Sequence, residues 1–412
     1  MPSLFGLERD KDIPKLVELL GSSDNPTIRR RAAEILGNID ETGEDGIEAL
    51  VAAVQHDDHE EVRAAAIDAL TSLEAVDALL TALGRDVPQE AATWAKAETF
   101  VSDLSADAPE LRMASANVLG QIGSDNAVRP LVAALEDPDP RVRARVARAL
   151  GQIGDPAAAG ALVEHLQGEP LPVKREVADA LGHLGNPTAL EGLLSVAADD
   201  SEAMRRTVAT SLGRFGNRKP IDTLVDMLGD ESDLVRRGAV FSLIEILSNV
   251  DSSESDELRQ TIVERMSASD DPSIVASLAE IVEEGSQVHQ RRNAVWMLGR
   301  VAGERSEERA VETLIDVLGD EDHLIQQFAA TSLAELGGSR VERALIDVVD
   351  SATSDDAVAM AAFTLGKVGS ERSKRRLERL VDETESDEVR QRAFAAISKL
   401  ERGGPSPDEF DF

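Results

Sequence analysis

Between Leu111 and Gly216 one pattern of apolar and polar positions recurs four times, as LRMASANVLGQIG, VRARVARALGQIG, VKREVADALGHLG and MRRTVATSLGRFG. In the second copy Val142, Val146, Ala149, Leu150 and Ile153 fall at i, i+4, i+7, i+8 and i+11, which is one face of an amphipathic helix. The pairs Leu119-Gly120, Leu150-Gly151, Leu181-Gly182 and Leu212-Gly213 lie 31 residues apart, and a fixed period of about 20–50 residues marks a stack of repeats. Ala147 and Gly151 keep the helix surface low enough for a neighbour to approach closely, while Gly154 suits a left-handed helix end and Asp155-Pro156 a new start. A second, shorter helix follows each copy, carried by Val128, Leu131, Val132 and Leu135 in one unit and by Leu190, Leu193 and Leu194 two units on. Each unit is then a helix pair that covers its apolar faces only by stacking on its neighbours.

The pattern extends in both directions. IPKLVELL reads as a half unit, Leu36-Gly37 is in register, and EVRAAAIDALTSL places Thr71 where the first Gly belongs. The interval from Thr71 to Gly120 is 49 residues, and the surplus PQEAATWAKAETFVSDL predicts an extra helix. Leu243-Ile244 holds register with Ile in place of Gly, NVDSSESDE reads as a loop, and Leu298-Gly299 lies 55 residues beyond, again predicting an extra helix. Regular spacing of 35, 32 and 32 returns at Leu333-Ala334, Leu365-Gly366 and Ile397-Ser398. The expectation is an all-α superhelical solenoid of about ten helix pairs, continuous over residues 1–401, irregular near 85–107 and 250–285, with a flexible acidic tail at 402–412.

The phrase VRxxAAxALGxIG followed by A-x-x-L-x-x-x-L resembles the HEAT repeat, in the short subtype first recognised in phycobilin lyases. The resemblance implies an α–α superhelix. It leaves function open, since the family includes scaffolds, bilin lyases, DNA glycosylases and a di-iron hydroxylase. The hydroxylase places His-Glu pairs seven residues before the motif Gly; here those positions hold Met113, Ala144, Arg175, Arg206 and Arg292, so that metal site is absent.

Composition narrows the partners. The net charge is −35, with 8 Lys against 35 Arg and no Tyr. Such a field repels nucleic acid and anionic membranes, and points to the salt-rich cytoplasm of a halophile, where the Debye length falls to about 3 Å at 1 M. The absence of Cys removes disulfides and thiolate chemistry. With no export signal and no spanning apolar run, the cytoplasm is the expected compartment.

Candidate chemistry is sparse. His56-Asp57-Asp58-His59-Glu60 could ligate a metal, or form a solvated turn with an N-cap. Arg63, Arg112, Arg143, Lys174, Arg205, Arg236 and Arg390 share one register of the outer helices and predict a ladder of ion pairs with acids of their own or the neighbouring unit. On the inner helices, which line the concave face of such a solenoid, the exposed positions run Arg129, Glu164, Glu191, Ser195, Asp222, Asp226, Glu312 and Asp316, then Arg343, Asp347, Arg375 and Arg379, with Lys374 and Arg376 alongside. The change of sign marks a candidate docking patch. Trp94 and Trp296 belong to the two irregular units, as interface anchors or as filler of a widened core. Phe410 and Phe412 stand among acids in the tail, as a short docking motif or a frayed end. No phosphate loop, dinucleotide fingerprint or nucleophile elbow occurs. The expected function is a non-catalytic scaffold binding one or more proteins without a cofactor, and the resemblance extends it to an adaptor between taxis proteins and the archaellar motor. The alternatives are a bilin-lyase-like enzyme and a DNA-handling protein.

Overall fold

The computed structural model describes residues 4–39, 41–84, 93–249, 252–269 and 271–402, and all regular structure among them is helical. Two compact units divide the chain, Met1–Asp199 and Asp200–Phe412.

The first unit comprises α1 (Leu4–Arg9), α2 (Ile13–Ser22), α3 (Pro26–Gly37), α4 (Gly43–His56), α5 (Glu60–Ser72), α6 (Val76–Ala82), α7 (Thr93–Asp103), α8 (Pro109–Ile122), α9 (Val128–Ala134), α10 (Pro140–Ile153), α11 (Ala159–Glu164), α12 (Leu171–Leu184) and α13 (Pro187–Ser195). Helices α3, α5, α8, α10 and α12 pack in succession as one layer, and α2, α4, α7, α9 and α11 each back the first-layer helix that follows. Between α5 and α8 the second layer holds two helices instead of one, α6 against α4 and α5 and α7 against α8. Phe100, from the predicted extra helix, is fully buried.

The second unit comprises α14 (Glu202–Gly213), α15 (Ile221–Met227), α16 (Asp233–Asn249), α17 (Ser252–Ser269), α18 (Pro272–Glu284), α19 (Val288–Val301), α20 (Glu307–Asp316), α21 (His323–Leu336), α22 (Gly338–Ser351), α23 (Asp355–Val368), α24 (Glu371–Glu383) and α25 (Asp387–Glu401). Its first layer is α14, α16, α19, α21, α23 and α25; α15, α18, α20, α22 and α24 back the helices that follow them. Two helices, α17 and α18, again stand where a regular interval has one. The segment NVDSSESDE is a correction: helix α17 already begins at Ser252. Acidic residues are favourable in the first turns of a helix, so its polarity is compatible with helix as well as loop.

Local chemistry sets these boundaries. Asn25, Asp139 and Asp271 each accept a backbone N–H of the first turn and are followed by Pro at the first helical position. Gly154 ends α10 at φ +75°, a conformation costly for other residues. The motif glycines meet the neighbouring helix backbone: a Cβ on Gly120, Gly151 or Gly366 would lie 2.8, 2.7 or 2.8 Å from the Cα of Ala149, Ala180 or Ala396. Where the contacted residue is Ser, its hydroxyl bonds across the seam, Ser242 Oγ to the Ala209 carbonyl at 2.8 Å and Ser332 Oγ to that of Val295 at 3.1 Å. Thr71 and Ile244, which replace the glycine, are on α5 and α16, the two helices that precede a widened interval. There the next first-layer neighbour makes no demand for a bare backbone.

Candidate docking surface

The recurring outer-helix cations are occupied. Arg112 reaches the Asp137 carboxylate (Nε to Oδ2, 2.6 Å), and the Asp137 main-chain carbonyl accepts from Arg143 Nη1 at 2.6 Å. Asp57 repeats this with Arg29 and Arg63, and Asp230 with Arg205 and Arg236. Asp320 takes Arg291 on its carboxylate and Gln326 on its carbonyl. Each of these aspartates also accepts the backbone N–H two residues on, at 2.8–2.9 Å, so one residue shapes the turn and joins two successive first-layer side chains. Arg143–Glu169 and Lys174–Asp199 are further rungs, and Arg390, on the last described first-layer helix, pairs with its own Asp387. The ladder expected from sequence is present, and for most rungs its acid belongs to the next turn of the stack.

The same arrangement accounts for Asp57 in the cluster at 56–60. Asp57 is no solvated ligand, since its side chain is 8% exposed and held by Arg29. Among the described residues no group of three or more His, Asp or Glu side chains could hold a metal ion.

A related rung has a measurable pH dependence. Hydrogen bonding from Arg292, with the Ile325 and Leu324 N–H groups, lowers the Asp322 carboxyl to about 2. An unfolded Asp titrates near 3.9, so the stabilisation is complete above about pH 4 and disappears as pH falls towards the folded value. Asp322→Asn keeps the cap and removes the charge. Its melting temperature in molar KCl is expected below that of the native chain at pH 7, with the gap closing between about pH 4 and 2; a gap that stays constant would refute the assignment.

The predicted inner-face positions are all exposed: Arg129, Glu164, Glu191, Ser195, Asp222, Asp226, Glu312, Asp316, Arg343, Asp347, Arg375 and Arg379. Glu312 and Asp316 lie on α20, Arg343 and Asp347 on α22, and Arg375 and Arg379 on α24. The basic candidates divide by environment. Arg376 is corrected: it is 9% exposed, facing Asp350 of α22 and Glu383 of its own helix at the last turn, because its position turns it towards α22. Lys374 holds Glu401 at 3.0 Å. Arg343, Arg375 and Arg379 make no ion pair within 4.0 Å among the described residues. Arg372 shares that condition, and lies at i−3 and i−7 from Arg375 and Arg379 on one stripe of α24. Sequence reasoning missed it. The available signal was its register with Arg340, which is taken by Glu307 and Glu308 of α20, whereas Arg372 has Arg340 itself at the equivalent place.

The aromatic candidates fare differently. Trp296 is half-buried on α19, and the Arg300 guanidinium covers its ring at 4.2 Å from the centroid while donating to the Trp296 carbonyl. Trp94 is the second residue of α7, with its side chain outside the described residues, as are Phe410 and Phe412. Phe394 was also missed. Three positions before the motif Leu, other first-layer helices bury Ala116, Ala147, Ala178, Ala209 and Ala362, whereas α25 presents Phe394 at 54% exposure.

Among the described residues no helix is long and apolar enough to cross a membrane. The chain is 63% identical over 403 residues to a HEAT repeat-containing taxis protein of Halobacterium salinarum, covering 97% of this chain and 99% of that protein. Among solved structures it is similar to an engineered protein (21% identity, TM-score 0.36, covering 95% of this chain and all of that one). It is also similar to the complex of CpcE and CpcF of phycocyanin lyase from Nostoc (20% identity, TM-score 0.41, covering 61% and 94%). The HEAT-repeat family profile matches residues 13–99, 97–175, 166–245, 286–363 and 311–398, leaving unmatched the stretch that holds α17 and α18. By the profile and the Halobacterium relative, and with glycine-sealed seams between successive helix pairs, the chain belongs to the HEAT-repeat family.

Proposed function

We propose that this protein is a non-catalytic adaptor that docks an acidic protein partner on the second-layer face of α22 and α24, in taxis signalling between the receptor pathway and the archaellar motor. The observation that carries the reading is the stripe of Arg372, Arg375 and Arg379, with Arg343 on the adjacent helix, exposed and unpaired among the described residues of a chain whose net charge is −35. In such a chain acids are abundant enough to pair nearly every cation, and the outer-helix ladder does so. Four arginines left open on one face keep their forks available for carboxylates, which Arg binds in bidentate geometry. The name of the Halobacterium relative supports the pathway. The acidic face of α20, which packs against α22, carries Glu312 and Asp316 and would repel a nucleic-acid backbone and orient a partner towards the basic end.

The test compares the native chain with Arg343→Ser/Arg375→Ser/Arg379→Ser as bait in a salt-adapted lysate. The expected outcome is that a taxis protein is retained by the native chain and lost by the variant at unchanged melting temperature. Identical recovery from both baits would overturn the assignment.

A further inference from the structure

The open arginines have a ligand within the same chain. We propose that the acidic segment Asp408–Phe412 docks on Arg372, Arg375 and Arg379 of its own α24, so that an acidic partner must displace it. This rests on the docking surface proposed above and adds its regulation.

Three observations carry it. The first is where the segment is tethered. Lys374, in the first turn of α24, pairs with Glu401, the last residue of α25, at 3.0 Å. The chain therefore leaves α25 at Arg402 beside the start of the arginine stripe. The second is reach. Five residues separate Arg402 from Asp408, so the six steps between them span up to about 20 Å when extended, while Arg372 to Arg379 covers about 10 Å of helix. Docking there requires the chain to turn back along α24, and glycine at positions 403 and 404 places little steric restriction on that direction. The third is chemistry. Asp408, Glu409 and Asp411 offer three carboxylates to the three guanidinium groups of the stripe, and Phe410 and Phe412 alternate with them to stack on the guanidinium planes.

The nearby acids leave the stripe open. Glu371 and Glu378 on α24 and Asp347 on α22 are exposed, and none comes within ion-pair distance of Arg372, Arg375 or Arg379. In molar salt only contact pairs escape screening, which favours a ligand that also brings apolar surface and is already in place. Tethering supplies the second condition, since a short connection gives an effective concentration that a free partner must exceed.

The test uses full-length protein and a fluorescein-labelled peptide of residues 403–412, followed by anisotropy in molar KCl. The native chain, occupied by its own segment, is expected to bind the peptide at least about tenfold more weakly than the full-length variant Asp408→Asn/Glu409→Gln/Asp411→Asn. Adding Arg375→Ser and Arg379→Ser to that variant is expected to abolish the binding, with the melting temperature as a check on folding. Equal affinity of the native and neutralised chains, or binding that survives loss of the arginines, would overturn the proposal. The two readings fail separately. Loss of a client from the arginine variant without any gain in the neutralised chain removes the self-docking and leaves the partner site. A tenfold gain without any client lost removes the partner site and leaves the self-docking.

Discussion

Gly151→Val is expected to lower stability by about 3 kcal/mol, the upper end of typical overpacking costs, whereas Gly160→Ala raises it by about 0.5 kcal/mol. The two glycines differ in what surrounds them. A Cβ at Gly151 would meet the Ala180 Cα at 2.7 Å and its Cβ at 2.9 Å, and the obstacle is the backbone of α12, which cannot rotate away as a flexible side chain would. Valine adds two further methyl groups against the same wall. Gly160, on α11, has nothing within 4 Å, so alanine there only improves helix propensity. Thermal and denaturant melts of the two variants in molar KCl decide the matter, and equal effects would show that the α10–α12 seam tolerates separation. A single transition cannot be assumed for a repeat array, so the comparison should use the first transition that involves the Met1–Asp199 unit.

The second large effect is expected at Asp137. Asp137→Ala is predicted to cost about 3 kcal/mol or more, because it strands a buried charge. The Arg112 side chain is 11% exposed and that of Asp137 6%, and the guanidinium forms two parallel bonds to the carboxylate, at 2.6 and 2.9 Å. The same substitution removes the acceptor for the Asp139 N–H, which shapes the turn before α10. Asp137→Asn retains that acceptor and isolates the cost of the charge. By contrast, Asp10→Ala breaks a pair that is 71% and 60% exposed and is expected to change stability by less than about 1 kcal/mol. Melts across a range of KCl concentrations separate the cases: added salt compensates an exposed pair and cannot restore the partner of a buried one.

Much of the fold was legible because period and packing express the same constraint. Adding the period predicted the exposure of Glu164, Glu191, Asp222 and Arg343 correctly, since successive second-layer helices repeat one orientation. Thr71 and Ile244 stand at the motif glycine position on the two helices that precede an extra helix, whereas Gly120, Gly151 and Gly366 face a close neighbouring backbone. The segment NVDSSESDE was misread because polarity without periodicity does not distinguish a loop from a solvated helix start.

The candidate site was legible only in part. Arg375 and Arg376 are adjacent in sequence and similar in chemistry, yet one faces outward and the other is turned against Asp350. Arg372 carries no mark in its own sequence that separates it from the paired Arg340. Trp296 reads as an interface anchor until Arg300 is seen across its ring.

The sequence by itself determined the helix pairs, their register, the close seams and the cations of the ladder, because each is enforced within one period of 31 to 35 residues. The tertiary structure alone decided which acid each cation takes and which arginines remain open. Many of those choices depend on side chains brought together from residues 25 or more positions apart, such as Arg112 with Asp137 and Lys374 with Glu401. In a chain with 78 acidic residues, composition cannot tell one carboxylate from another; proximity can.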